Sequence, residues 1–189
     1  MKIVVIVDTQ NDFITGSLGT KEAQEMIPVM VDKLRLYDNG DTLVLFTKDT
    51  HHDYYLTTQE GENLPVEHCM VGTPGCSIAK EISELVDHSN FMTYSTRDII
   101  KGRIRKETFG SIRLAEILEK LSVNCFLEEI VFMGLCTDVC VISNALMAKA
   151  YCPEVKISVE ASCCAGTTPE KHYAALQVME SCQINIIGE

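Results

Sequence analysis

No apolar run in this 189-residue sequence approaches the roughly 20 residues needed to cross a bilayer. The opening run, Met1 to Val7, is too short for a signal peptide and leads straight into polar residues. A cytoplasmic protein is the expectation. Basic residues are scarce: 16 Lys and Arg stand against 27 Asp and Glu, a formal net charge of −11. That balance argues against nucleic acid or an anionic membrane as the main partner, because both would repel the chain on average. A small molecule is the expected partner. Repeats, low-complexity segments and linkers are missing too, so residues 1–189 read as one domain, and 46% hydrophobic content suffices for a substantial core. Tryptophan is absent altogether.

Cysteine, by contrast, is plentiful. Nine are present, an odd number scattered from Cys69 to Cys182. Without a secretory signal they read as reduced thiols rather than a disulfide framework. The adjacent Cys163 and Cys164 read as structural.

Short β-branched runs alternate with helical patterns along the chain. Strands are expected at Ile3–Val7, Thr42–Phe46, Ile99–Arg105, Glu129–Met133, Val155–Val159 and Ile184–Ile187. Helices are expected at Lys21–Leu36, Ser77–Val86, Ser111–Leu121, Asp138–Ala150 and Pro169–Ser181. This alternation predicts an α/β fold of three layers, a mostly parallel sheet of about six strands covered by helices on both faces. Thr50–Pro74 lacks periodicity and reads as a long loop, which in a compact domain is usually functional.

Ligands of open parallel sheets bind outside the carboxyl ends of the strands. The residues there are Asp8 after the first strand, Lys48 and Asp49 after the second, Lys106 after the third, and Cys140 shortly after the fourth, in Gly134-Leu135-Cys136-Thr137-Asp138-Val139-Cys140-Val141. Taken singly, each has an ordinary role as a turn cap, a surface charge or a buried thiol. Together, a carboxylate, an ammonium and a thiol near a helix start meet the needs of acyl transfer. The cation and the helix N-terminus favour thiolate, the carboxylate moves the proton, and backbone N–H groups hold an oxyanion.

These residues resemble the isochorismatase-like cysteine hydrolases, and within them the nicotinamidase/pyrazinamidase branch. The resemblance spans nearly the whole chain. It is carried by Val7-Asp8-Thr9-Gln10-Asn11-Asp12-Phe13, by Lys106 with Phe109 after it, by Gly134 to Val141, and by Ala165 to Glu170 with His172 following. It implies a cysteine hydrolase with an isochorismatase-like, Rossmann-like α/β fold, and with Asp8, Lys106 and Cys140 as catalytic triad. It also implies a cis bond between Leu135 and Cys136, so that the N–H groups of Cys136 and Cys140 form the oxyanion hole. Phe13, Leu64 and Leu135 would contact the substrate.

Asp49 and His51, with His68 further on, suit one divalent ion, zinc first, with manganese or iron as alternatives. By spacing alone this is a moderate signal. The resemblance strengthens it, adds Glu60 as a further ligand, and implies that the metal takes the pyridine nitrogen of the substrate. His52 is expected to point away. The family commonly places a Trp shortly before the His-Cys pair, where this chain has Leu64.

The resulting expectation is a metal-dependent amidase cleaving nicotinamide in NAD salvage, in a homo-oligomer. An amidase for another small amide or carbamoyl compound, an isochorismatase proper, a ligand-binding protein without catalysis, and a redox role for Cys136 and Cys140 remain as alternatives.

Overall fold

The structure is a computed structural model that describes every residue except Asp98, Cys125 and Glu189. The uninterrupted β-branched run Ile3–Val7 has no polar face, so it suits only a strand covered on both sides. It forms β1 (Lys2–Val7), and all five of these residues are fully buried. On one side β1 pairs in parallel with β2 (Thr42–Asp49), and on the other with β5 (Glu129–Leu135). The sheet continues to β6 (Lys156–Ala165) and β7 (Asn185–Ile187). At the opposite edge, β3 (Met92–Thr93) and β4 (Arg103–Lys106) pair with successive stretches of β2. The order is therefore β3 and β4, then β2-β1-β5-β6-β7, all pairs parallel.

Seven strands replace the expected six because β3 and β4 share one lane. The strand expected at Ile99–Arg105 is shortened to β4. Lys101 and Gly102 take positive φ (49° and 73°), and Arg103 N–H turns back onto the Ile100 carbonyl, which uses the preceding residues in a turn. Conversely, β6 runs on through Glu160–Ala165, beyond the expected end at Val159, after a register shift opposite Phe132 and Gly134. Gly134 (φ 128°) tolerates that irregularity: any side chain there would collide with the Val7 carbonyl.

Two helix groups pack on the sheet as separate layers: α2 (Lys21–Tyr37) with α4 (Lys80–Asp87), and α5 (Ile112–Asn124) with α6 (Ile142–Tyr151) and α7 (Pro169–Ser181). Short helices α1 (Asn11–Ile14) and α3 (Gln59–Asn63), with a 3₁₀ turn at Tyr55–Thr57, organise the segments after β1 and β2. The long loop expected at Thr50–Pro74 is thus only partly irregular. Thr58 caps α3 by accepting from Gly61 N–H at 3.0 Å. Among the described residues no helix is long and apolar enough to cross a membrane.

The helix expected from Asp138 begins differently. A π-helical turn spans Thr137–Val141 before α6, and the Leu135–Cys136 peptide ahead of it is cis. The connections diverge between β1 and β5, and the carboxyl ends of β1, β2, β4 and β5 open onto a common cleft.

Candidate active site

Strand chemistry delivers the first half of the site. In β4, Ile104 and Lys106 are buried while Arg105 is exposed, as alternation across a pleat requires. That parity turns Lys106 inward. Asp8 leaves β1 in the left-handed region (φ 44°), an uncommon conformation for a residue with a side chain. Its carboxylate is fully buried beside β2, where Oδ1 accepts from Thr47 Oγ1 at 2.7 Å. Lys106 Nζ sits 2.6 Å from Asp8 Oδ2, 3.2 Å from Asp49 Oδ1 and 3.5 Å from Cys140 Sγ.

Burial, then the adjacent Asp8 carboxylate, push the Cys140 thiol well up, and Lys106 only partly offsets them. Burial likewise raises Asp8 against the opposing pull of Lys106. Burial alone would lower Lys106, but Asp8, Cys140 and Asp49 together hold it well above the ordinary lysine range, so it stays charged. Lys106 thus sits between the carboxyl groups of Asp8 and Asp49 with the Cys140 sulfur alongside.

The second half is carried by the segments after β2. Asp49 Oδ2 lies 3.0 Å from His51 Nε2 and 3.4 Å from His68 Nε2. Ligand atoms of all three lie within 4.8 Å of one another, and all three residues are buried. His68 Nδ1–H donates to the Val66 carbonyl at 2.8 Å, a contact that fixes the tautomer and frees Nε2 for a cation. Glu60 Oε1 approaches the same imidazoles at 3.6 and 3.9 Å. Two imidazole nitrogens with carboxylate oxygens at such spacing fit one divalent ion of the zinc, manganese or iron type. Burial would raise Asp49, but the adjacent imidazoles of His51 and His68, with Lys106, hold it well below the usual carboxylate range. His52 does turn away: it stacks on Tyr54 and lies 3.7 Å from Glu107.

A cavity of about 390 Å³ joins the halves, with Cys140 and Cys136 at one wall and Asp49, Glu60 and His68 at another. Phe13 and Leu64 line it as expected, and Phe109 does too. Leu135 does not; it is buried in β5 and enters the site only through the peptide it shares with Cys136.

Several side chains matter without having announced themselves. Gln10 is fully buried and brackets Asp49, its Oε1 accepting from Asp49 N–H at 2.7 Å and its Nε2 donating to the Asp49 carbonyl at 2.8 Å. Tyr55 packs its ring against both His51 and His68 and donates to the Leu64 carbonyl at 3.0 Å. Thr47 could have been noticed only as a polar residue within a buried strand.

The Isochorismatase domain family model matches residues 2–188. Over the full length of both chains the sequence is 22% identical to a nicotinamidase of Saccharomyces cerevisiae. Among solved structures, pyrazinamidase/nicotinamidase from Streptococcus mutans superposes with a TM-score of 0.78 at 23% identity, covering 99% of this chain and 100% of that one. Pyrazinamidase of Pyrococcus horikoshii in complex with zinc does so with a TM-score of 0.73 at 23% identity, covering 100% and 99%. The match of the family model across almost every residue, on a parallel sheet of the expected order, makes this chain a member of the isochorismatase domain family.

Proposed function

We propose that the protein hydrolyses a small carboxamide through a thioester on Cys140, and that nicotinamide, cleaved to nicotinic acid and ammonia, is the leading substrate. The observation that carries this reading is the position of Lys106, within 2.6 Å of Asp8 and 3.5 Å of the Cys140 thiol at the wall of the shared cavity. Relatives named as nicotinamidase and pyrazinamidase support the substrate class.

In the first half-reaction the Cys140 thiol passes its proton to Asp8 as sulfur attacks the amide carbon. Burial and the neighbouring Asp8 raise the thiol, which favours transfer of its proton in step with attack, and Lys106, beside both groups, stabilises the charge as it shifts between them. The N–H groups of Cys136 and Cys140 donate to the developing oxyanion. Asp8 returns the proton to the departing ammonia, leaving the acyl group on sulfur. In the second half-reaction Asp8 takes a proton from water, the hydroxide equivalent cleaves the thioester, and the thiol is restored as the acid leaves.

Asp49, His51 and His68, with Glu60 alongside, would hold the divalent ion. When bound it supplies a Lewis-acid anchor for a donor atom of the substrate. Phe13 and Leu64 then face the body of the ligand across the cavity. A nicotinamidase of this kind would serve NAD salvage. The second reading, an amidase for another small amide, is favoured by Leu64, an aliphatic residue in a chain with no Trp to flank a ring.

Ammonia release from nicotinamide, with zinc, manganese or iron supplied, tests the proposal beside Cys140→Ala. Turnover abolished by the mutation and by chelation is the expected result. Amide hydrolysis persisting at the wild-type level in Cys140→Ala would overturn the thioester scheme.

A further inference from the structure

An asparagine stands out among the buried residues of α6. The others are Ala145 and Ala148, whereas Asn144, 2% exposed, brings two amide donors and an acceptor into the interior. Burying an amide is unfavourable unless its groups find partners, and here they do. Nδ2 donates to the Cys140 carbonyl at 2.8 Å and to the Phe109 carbonyl at 3.2 Å, while Oδ1 accepts from Ser111 N–H at 2.9 Å. Two carbonyls and one N–H admit a single orientation of the amide, because a flip would set oxygen against oxygen and N–H against N–H.

The three partners all bear on the site. Cys140 carries the thiol, and Phe109 lines the same cavity. Ser111 closes the segment that leads from Lys106, the last residue of β4, to the start of α5 at Ile112. Gly110 lets that segment lie against α6, since a Cβ there would stand 2.6 Å from Met147 Sδ. One side chain therefore joins the turn that carries the sulfur to the segment that follows Lys106. The 3.5 Å approach of Lys106 Nζ to Cys140 Sγ spans the same two elements.

We propose that Asn144 is a positioning residue for the amidase reaction. Through the Cys140 carbonyl it fixes the sulfur relative to the amide carbon, and through the Phe109 carbonyl it fixes a wall against which the substrate rests. The proposal rests on the amidase reading above and adds to it a residue that acts only through these two neighbours. Its two bonds have separable consequences: a misplaced sulfur lowers kcat, and a shifted Phe109 raises KM.

The test uses two substitutions. Asn144→Leu keeps the approximate volume and removes all three bonds. Asn144→Ser can keep one, because a helical serine hydroxyl reaches the carbonyl four residues back, here that of Cys140. With nicotinamide and zinc supplied, kcat should fall roughly 10–100-fold in Asn144→Leu and recover in part in Asn144→Ser. KM should rise about three- to tenfold in both, since both lose the tether on Phe109. Ser158→Ala, which removes a buried 2.6 Å hydrogen bond to Glu129 at the amino end of β5, is the stability control and should keep the wild-type kcat. Wild-type kcat in Asn144→Leu, a loss matched by Ser158→Ala, or equal kcat losses in the leucine and serine variants would overturn the inference. If Asn144→Leu does not fold, Asn144→Ser decides through KM, and an unchanged value there overturns it.

Alkylation by iodoacetamide, followed peptide by peptide in a mass spectrometer, reads the Cys140 sulfur without turnover. Slower modification of Cys140 in Asn144→Leu, with the buried Cys163 protected as in the wild type, supports the positioning role even if no amide is cleaved, an outcome that would sink the amidase reading alone. Equal rates at Cys140 in the two proteins, or loss of protection at Cys140 and Cys163 together, overturns the inference.

Discussion

Lys106 and Asp49 are joined by a 3.2 Å ion pair, and through it the thiol half of the site is tied to the imidazole half. Asp49 Oδ1 faces the ammonium while Oδ2 faces the two histidines. Asp49→Asn should therefore impair both functions. Bound metal, measured by elemental analysis after dialysis, should fall well below one per chain, and amide turnover should fall with it even when excess metal is supplied. His51→Ala should lose metal but leave the Lys106 pairs intact. Full metal occupancy in Asp49→Asn would show that His51, His68 and Glu60 suffice.

Gln10 holds the backbone of Asp49 from both sides, and its Nε2 also donates to the Cys76 carbonyl at 3.0 Å. Gln10→Ala leaves these buried groups unpaired, at a cost of about 1–3 kcal/mol. It should also weaken metal binding about 10–100-fold, as loss of an outer-sphere contact usually does. Titration with a competing chelator measures the second effect and urea unfolding the first. Unaltered metal affinity with lowered stability would make Gln10 structural only.

Lys106 compensates two buried carboxylates. Removing one partner of a buried charge cluster commonly costs about 3–5 kcal/mol, because the remaining charge is left uncompensated. Lys106→Met should show a loss of that size in denaturant unfolding with chelator present. Adding Asp8→Asn should recover part of it, since one orphaned carboxylate is then neutral. Additive losses would mean that the two groups are not coupled.

Glu129 opens β5, accepts hydrogen bonds from Lys2 and Ser158 at 2.8 and 2.6 Å and is ion-paired with Lys156 at 2.9 Å. Burial would raise its pKa, but these partners outweigh it and bring the group down from its ordinary 4.5 to about 2. A carboxylate with a depressed folded pKa contributes stability in full above the unfolded value. That contribution should disappear as the pH falls from about 4.5 towards 2. The stability difference between wild type and Glu129→Gln should shrink over the same interval, as urea midpoints between pH 6 and pH 2 would reveal. A constant difference would remove Glu129 from the acid transition.

Elements buried on both faces were readable from the chain because their pattern is local. Ile3–Val7 and Ile130–Met133 are apolar runs that satisfy no other structure. β3 left no such mark: Met92 and Thr93 are two exposed residues whose strand character comes only from pairing with Leu43 and Val44. Asp49, His51 and His68 could be nominated by type and by resemblance, whereas Gln10, Thr47 and Tyr55 could not be assigned a role. Each acts by contact with atoms brought near by folding, as in the approach of Gln10 to Asp49 across 39 positions.

By itself, the sequence determined the layered α/β class, the sheet edge that gathers ligands, and the nomination of Asp8, Lys106 and Cys140. Periodicity, strand order and residue type are properties of the chain. Only the tertiary structure decided how that trio meets and in which direction its pKa values are pushed. A pKa depends on burial and on charges within a few ångströms, and those distances exist only once β1, β2, β4 and the turn carrying Cys140 have packed.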